Sequence, residues 1–321
     1  MATIKNYLSL IKFSHTIFAM PFALIGFFIP AIPRIRIFIE YSNKELPCFP
    51  EESVKYSRII HYDIDSPHSF IELFIRLGLI ILCMVFARSA AMAFNRYLDR
   101  KFDTANPRTA IREIPKGIIS ANNALIFTIA NCLLFIACTF FINNLCFYLS
   151  PVALAVVLGY SYTKRFTALC HLVLGIGLSL APIGAYIAVT GQFDFLPILF
   201  SIAVIFWVSG FDIIYALQDE EFDKSQKLYS IPAWLGKDIA LHISKLFHFL
   251  SAGAVVSAGF IGGFGWLYWI GMAVFGGMLI YQHSIVKPHD LKRVNLAFMT
   301  ANGIASVVFA IFVIADLFIN S

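Results

Sequence analysis

Long apolar runs, following one another from end to end, constrain this chain more than any other feature. A helix needs about 20 predominantly apolar residues to cross the hydrocarbon core of a bilayer. Nine such runs lie near 14–33, 70–94, 121–142, 145–162, 168–190, 196–217, 240–261, 265–286 and 296–319. Pro30, Pro151, Pro182 and Pro197 fall inside them or at their ends, which membrane helices tolerate. Only 13% of the 321 residues are charged, where a soluble domain carries about 25%. So few charges cannot cover a water-facing surface, and a soluble protein is excluded. The expected fold is all-α and integral to the membrane, a single domain over residues 1–321 with nine transmembrane helices around a central cavity. The 33 phenylalanines suit lipid contact or an apolar ligand.

The basic residues give the orientation. With the N-terminus inside, the inner segments are the N-terminal tail and the connections near 95–120, 163–167, 218–239 and 287–295. With the adjoining helix ends they hold 18 of the 24 Lys and Arg. The outer connections near 143–144, 191–195 and 262–264 and the C-terminal tail hold none. Cytoplasmic loops carry the excess of Lys and Arg, so nine spans with the N-terminus inside and the C-terminus outside are expected. The other six basic residues lie in or beside one outer segment, Arg34–Ser69. It is polar and mixed in sign, and two short strands or a loosely ordered loop both fit it.

The six cysteines show no CxxC spacing and no metal-like pairing with His, so neither a disulfide framework nor a zinc site is expected. The N-terminus lacks a short apolar stretch followed by a small-residue cleavage site, and is read as a retained first helix. An excess of five positive charges does not argue for nucleic acid.

The chemistry gathers on the inner face. In "NRYLDRKFD" (Asn95–Asp103), Asn95, Asp99 and Asp103 recur at intervals of four and therefore share one edge of a helix; Arg88 extends that edge into the membrane. In "DIIYALQDEEFD" (Asp212–Asp223), Asp212, Asp219 and Asp223 share a face in the same way. Each pattern closes a span on the inner side, and the two form a faint repeat 120 residues apart (219 − 99 = 120). Carboxylates four apart repel one another, so positive charge must offset them. Inner-face Lys and Arg alone could do so. The functional alternative is a pair of facing clusters that hold Mg²⁺ against a substrate phosphate, since Mg²⁺ takes one or two carboxylates and completes its shell with phosphate oxygens and water. Arg108, Arg112, Lys116, Lys164 and Arg165 would then face the remaining phosphate oxygens. A diphosphate with a greasy tail fits a charged site roofed by apolar helices, with Phe-rich walls around the tail.

These segments, with "NPRTAIREIPKG", "YSYTKR" (Tyr160–Arg165) and "IKFSHTIFAMPFALIG" (Ile11–Gly26), resemble the signature regions of the UbiA superfamily of intramembrane prenyltransferases, nearest its 4-hydroxybenzoate polyprenyltransferase branch and menaquinone-pathway relatives. The resemblance covers nearly the whole chain. It implies Mg²⁺-dependent transfer of a polyprenyl group from polyprenyl diphosphate to a small aromatic acid in quinone biosynthesis. Asp99, Asp103, Asp219 and Asp223 would hold the metal with Asn95 in support, and Tyr160 and Lys164 would stand near the diphosphate and the allylic cation. Arg88 and Lys12 are candidates for the acceptor carboxylate, and Asp212 is a further substrate-side residue. It also implies a bacterial inner membrane, with the active site toward the cytoplasm. Two departures stand out: the 34–69 segment exceeds the usual short connection, and Arg96 replaces the Asp often found after the first Asn, leaving metal ligation there to Asp99 and Asp103.

Other readings remain open at this point. The acceptor could be a hydroxynaphthoate, haem or a chlorin. Intramembrane Asp212 and Arg88 could serve a transporter, although the carboxylates gather at helix ends rather than along a path. Arg88 could equally cap a helix or pair with Asp212. His15 reads as a packing histidine, His61 and His68 as loop residues, Glu220 and Glu221 as a solvated edge, and "GFIGGFGW" (Gly259–Trp266) as a packing surface. The topology makes a direct prediction: thiol labelling from outside reaches Cys48 and does not reach a cysteine placed at position 106. The reverse pattern would invert the orientation.

Overall fold

The structure, a computed structural model, describes residues 3–11, 18–43 and 68–320. Lys12, His15, Cys48, His61 and the His68 side chain, all considered above, lie outside what it describes. The helices are α1 (Ile4–Leu10), α2 (Met20–Asn43), α3 (His68–Leu98), α4 (Arg100–Ala105), α5 (Ala121–Ile142), α6 (Asn144–Thr163), α7 (Cys170–Thr190), α8 (Phe195–Ala216), α9 (Glu220–Ser225), α10 (Ile231–Ile261), α11 (Trp266–Ile285) and α12 (Asn302–Asn320). Among the described residues there is no strand beyond one isolated bridge, Lys287 with Asp290. Nine of the described helices have 19 residues or more, and seven helical segments are both long and apolar enough to cross a membrane.

Local chemistry sets the boundaries. Ser120 starts α5 by accepting from the Asn123 N–H, and Asp194 starts α8 by accepting from Leu196. Each satisfies a donor that the helix leaves free. Between α5 and α6 a single extended residue, Asn143 (φ −168°, ψ 165°), turns the chain. Its carbonyl side accepts from Cys146 N and its amide donates to Ile187 O at 2.9 Å. Gly236, at φ 81°, interrupts α10, so a first turn from Ile231 precedes the long membrane part. Before α12, residues Leu296–Ala301 form a π-helix. There the buried Asn302 amide donates to Ala297 O and Phe298 O and accepts from Trp207 and Gln282.

Two expectations need correction. The outer segment does not begin at Arg34: α2 continues through "RIRIFIEYSN" to Asn43, although Pro30 and Pro33 lie inside it. Helix, not strand, is the form this end takes. The basic residues beside it have a structural task. Arg76 donates to Ala188 O and Val189 O, and Arg34 to Val189 O. They satisfy carbonyls left over at the C-terminal end of α7, where cations also suit the helix dipole.

The second correction concerns the cavity. Each long helix packs on its sequence neighbours, and α2 closes the ring by packing against α7, α12 and α3. The space among α2, α8, α11 and α12 is filled by Phe22, Phe200, Trp207, Phe275 and Phe309, with Phe22 and Trp207 5.4 Å apart between ring centres. The open volume, about 380 Å³, lies among α3, α5, α6 and α7. It is therefore off-centre. Its walls are mostly Ala, Leu, Ile and Val, with Phe135 and Phe193 as the phenylalanines. The abundant Phe thus packs helices together more than it lines the cavity. Helices in lipid associate through close packing rather than a hydrophobic drive, and interlocking rings provide that contact.

Small residues allow the tightest approach. A Cβ built on Gly26 of α2 would stand 2.1 Å from the Pro182 carbonyl oxygen of α7, so this crossing depends on glycine. Gly253, in α10, has nothing within 4 Å of the same position. Gly26→Ala is expected to destabilise the protein by about 1–3 kcal/mol, the range for overpacking, while Gly253→Ala does not. Thermal unfolding in detergent, with both variants beside the parent, checks this; equal melting would deny the crossing its role.

Candidate active site

The acidic motifs lie where helices break. α3 ends at Leu98 and α4 starts at Arg100, leaving Asp99 between them at φ −87°, ψ 7°. In the second half α8 ends at Ala216, a 3₁₀ turn covers Leu217–Asp219, and Asp219 takes φ −105°, ψ 5° before α9. Both aspartates occupy the sparsely allowed bridge region where active-site residues recur, and neither side chain caps the helix that follows. The short helices α4 and α9 have six residues each and keep the 120-residue offset (219 − 99 = 120). The expectation of one straight helical edge is thus corrected to a kinked one. The four-residue backbone bonds persist through the kink, from Asp99 N to Asn95 O at 2.9 Å and from Asp103 N to Asp99 O at 2.7 Å.

Each motif carboxylate meets a cation. Asp99 pairs with Arg165 at 3.3 Å and also accepts from the Asn95 amide at 3.2 Å. Asp103 is held by Arg112 at 2.6 Å, with Arg96 at 3.9 Å. Asp219 receives a two-point contact from Arg108, whose Nε stands 3.1 Å from Oδ1. Asp223, fully buried, is paired with Lys164 at 2.7 Å and accepts from Ser230 at 3.0 Å. Neighbouring residues Lys164 and Arg165 therefore tie the second motif to the first, and Arg108 reaches from the loop after the first motif to the second. The two acidic motifs face each other.

These pairings shape the charges. Burial pushes the Asp99 carboxyl above its ordinary range, against the opposing bond from Arg165. Burial alone would lower Lys164, but the Asp223 carboxylate beside it outweighs that and holds the ammonium above its usual value. Arg108 behaves alike, with burial outweighed by Asp219 and Tyr215. Four carboxylates and five cations (Arg96, Arg108, Arg112, Lys164, Arg165) thus form one nearly balanced cluster.

The remaining expected residues fall on either side of that cluster. Tyr160 and Arg88 line the apolar cavity. Arg88 makes no ion pair with any described residue, and its Nε is buried without a hydrogen-bond partner. Its pairing with Asp212, considered from the sequence, is not what the structure shows. Asp212 bonds to His171 at 2.7 Å. Lys116 is exposed. Glu220 is no open solvated edge: it is buried and paired with Lys224 at 2.6 Å and Lys237 at 3.6 Å.

Sequence reasoning missed several participants. Asn106 donates to Asp219 at 3.3 Å, Tyr215 accepts from Arg108 at 2.9 Å, and Ser230 holds Asp223. His171 was also missed, although a lone histidine one residue into an otherwise uncharged span was a signal open to reading.

Metal can be tested against these residues. Among them no three acidic, His or Cys side chains converge closely enough to hold an ion by themselves. That suits Mg²⁺ arriving with phosphate oxygens, which complete its shell. All four carboxylates offer hard oxygen donors, and Asp103 Oδ2 is buried without a hydrogen-bond partner.

Comparisons with known proteins bear on the family and the fold. The UbiA prenyltransferase family matches residues 66–304. The 4-hydroxybenzoate octaprenyltransferase of Tolumonas auensis is 35% identical over 159 residues, covering 50% of this chain and 56% of that protein. The protein of the same name from Francisella tularensis subsp. mediasiatica is 33% identical over 168 residues, covering 52% and 59%. The chain thus spans somewhat over half the length of the curated relatives it matches. Among solved structures, the apo form of a UbiA homologue from Aeropyrum pernix superposes with TM-score 0.71 at 26% identity, covering 95% of this chain and 98% of that one. A UbiA homologue from Archaeoglobus fulgidus, bound to GPP and Mg²⁺, has TM-score 0.67 at 19% identity over 97% and 99%, a likeness of fold. With the family match covering well over half of its length, this integral membrane chain belongs to the UbiA prenyltransferase family.

Proposed function

We propose that the protein transfers a polyprenyl group from polyprenyl diphosphate to a small aromatic acid, 4-hydroxybenzoate first and a hydroxynaphthoate second, in the membrane steps of quinone biosynthesis. The reading takes residues 1–321 as one domain with nine spans, N-terminus inside and C-terminus outside. It places the charged cluster on the cytoplasmic side of a bacterial inner membrane. One observation carries it: a charge-balanced cluster of facing carboxylates and cations adjoins an apolar cavity whose polar wall residues include Tyr160 and an unpaired Arg88. The cluster suits a diphosphate, the cavity its chain, and Arg88 an acid that shares the space. The relatives named for 4-hydroxybenzoate and the A. fulgidus structure with GPP and Mg²⁺ support the same assignment.

The balance of the cluster explains why a metal is needed. A diphosphate entering a site where every carboxylate is already paired must bring positive charge with it. When bound, Mg²⁺ supplies Lewis-acid stabilisation of the charge that develops on the departing diphosphate. Asp99, Asp103, Asp219 and Asp223 would hold it, with Asn95 orienting Asp99. Arg108, Arg112, Arg165 and Lys164 then turn from carboxylate to diphosphate oxygens, arginine in its two-point mode. Such preorganised charge is commonly the largest catalytic contribution. As the allylic C–O bond breaks, Tyr160 faces the carbon end. The ring carbon ortho to the phenol attacks it, and the apolar wall keeps water from capturing the cation. Arg88 orients the acceptor by its carboxylate.

A transporter is disfavoured by the same geometry, because the carboxylates are locked in pairs at helix breaks instead of spaced along a path.

Asp→Asn keeps size but removes the charge that holds the metal. Asp99→Asn and Asp219→Asn are each expected to lower turnover about 10²-fold or more while the protein still inserts and melts normally. Turnover should cease with a chelator and return with Mg²⁺. Membranes supplied with labelled polyprenyl diphosphate and candidate aromatic acids, with products identified by mass, provide the assay. Near-normal transfer by both variants would sink the two-motif site.

Arg88 gives a separate test. Arg88→Ala is expected to raise the acceptor KM at least about tenfold, the scale of one lost charged contact, with the donor KM little changed. A loss confined to the donor would instead assign Arg88 to the diphosphate.

A further inference from the structure

Asp212 differs from every other carboxylate of the site. The four motif aspartates are each paired with a guanidinium or ammonium group. Asp212 has a ring nitrogen for its partner, His171 Nδ1 at 2.7 Å. The other ring nitrogen, Nε2, accepts from the backbone N–H of Ile231 at 3.3 Å. An N–H cannot donate to a nitrogen that already carries a proton, so this contact puts the single ring proton on Nδ1. His171 is therefore a neutral donor to Asp212 Oδ2.

The histidine is firmly held. It is 2% exposed, its own carbonyl accepts from Ser209 Oγ at 3.1 Å, and Ile231 is the first residue of α10, where an N–H without a helical partner is available. Through it α7, α8 and α10 meet at one ring. Asp212 is less enclosed, its side chain 20% exposed, and Oδ1 accepts no hydrogen bond from any described residue. It also lies within electrostatic reach of the Tyr160 hydroxyl, on the cavity wall. One oxygen is fixed from behind by His171, and the other is left free to take a proton.

We propose that Asp212 Oδ1 takes the ring proton that completes prenyl transfer, and that His171 is the positioning residue that aims it. This rests on the function proposed above and concerns its last step. Attack by the aromatic ring forms the new C–C bond and leaves the attacked carbon bearing both the prenyl group and its hydrogen. Breaking that C–H bond returns its electron pair to the ring and restores aromaticity. The proton passes to the Asp212 carboxylate, which becomes a carboxylic acid and then loses it to water. No oxidant or further reactant is required. His171 keeps its own proton throughout, so it acts by geometry and hydrogen bonding.

The test uses the full chain in membranes and an acceptor deuterated at the ring carbons ortho to the phenol. His171→Leu removes the donor. His171→Asn restores an N–H close to the Nδ1 position. The expected result for His171→Leu is a fall in kcat of about 10²-fold, the scale of general-base catalysis, with both KM values nearly unchanged. A primary isotope effect that the parent lacks should appear with it, because proton removal has become the slow step. His171→Asn should recover much of the rate and suppress the isotope effect. Asp212→Asn should behave like His171→Leu, which covers the case where that variant melts early. A loss of kcat without an isotope effect, or a fall that the Asn variant leaves in place while it melts normally, overturns the proposal. Failure of the parent itself to prenylate any aromatic acid overturns the reading beneath it, an outcome these variants distinguish.

Discussion

Carboxylates gathered at the end of a membrane protein stay charged only if cations reach them, because the surroundings solvate charge poorly and breaking a buried pair strands a charge at high cost. That requirement organises this fold. Asp223 is wholly buried and depends on Lys164; Asp103 depends on Arg112 and Arg96. Apart from Arg96, which belongs to the first motif itself, the partners come from the loop after α4 and from the turn between α6 and α7. Closing the ring of helices and neutralising the acidic motifs are therefore one event. A rearrangement that slid α6 or α7 along its axis would withdraw Lys164 and Arg165 from both motifs together.

The division of labour between the two halves follows from how each is packed. Around α8, α11 and α12 the rings of Phe200, Trp207, Phe275 and Phe309 interlock in one buried cluster. Among α3, α5, α6 and α7 the facing residues are smaller, and an open space remains beside Arg88 and Tyr160. At the far end of α7 the Arg34 and Arg76 side chains bind its last carbonyls. That helix is thus fixed at one end by arginine and at the other by His171 and Asp212. It forms a rigid wall between the packed half and the open one.

Much of this was legible in the sequence because the governing signals are local. Apolar runs ended by Ser120, Asn143 and Asp194 marked α5, α6 and α8 to within a residue or so, and the four-residue spacing of Asp99 and Asp103 pointed to one charged group. What escaped depends on contacts far apart in the chain. The backbone turns at Asp99 and Asp219 are set by tertiary packing that spacing cannot report. Helix α2 outlasts its prolines and runs on through Arg34, whose partner is a carbonyl 155 residues away. Asp212 looked like a member of the Asp219–Asp223 group, and only a folded chain brings His171 to it. The phenylalanines expected on the cavity wall pack helices together or face outward instead, since composition does not say which helices they join.

The near-neutral cluster has a consequence for the end of the proposed reaction. Once the prenyl chain has moved, a small and strongly charged diphosphate is left among arginines that bind it well, and such a product could block the next cycle. Asp99, Asp103, Asp219 and Asp223 remain beside those same cations, at contact distances the structure already shows. They compete with the spent head group for every guanidinium and ammonium it holds. In the proposed reaction the acidic motifs would then serve as a return spring as well as an anchor: carboxylates that reclaim their partners would eject the leaving group and reset the site for another donor.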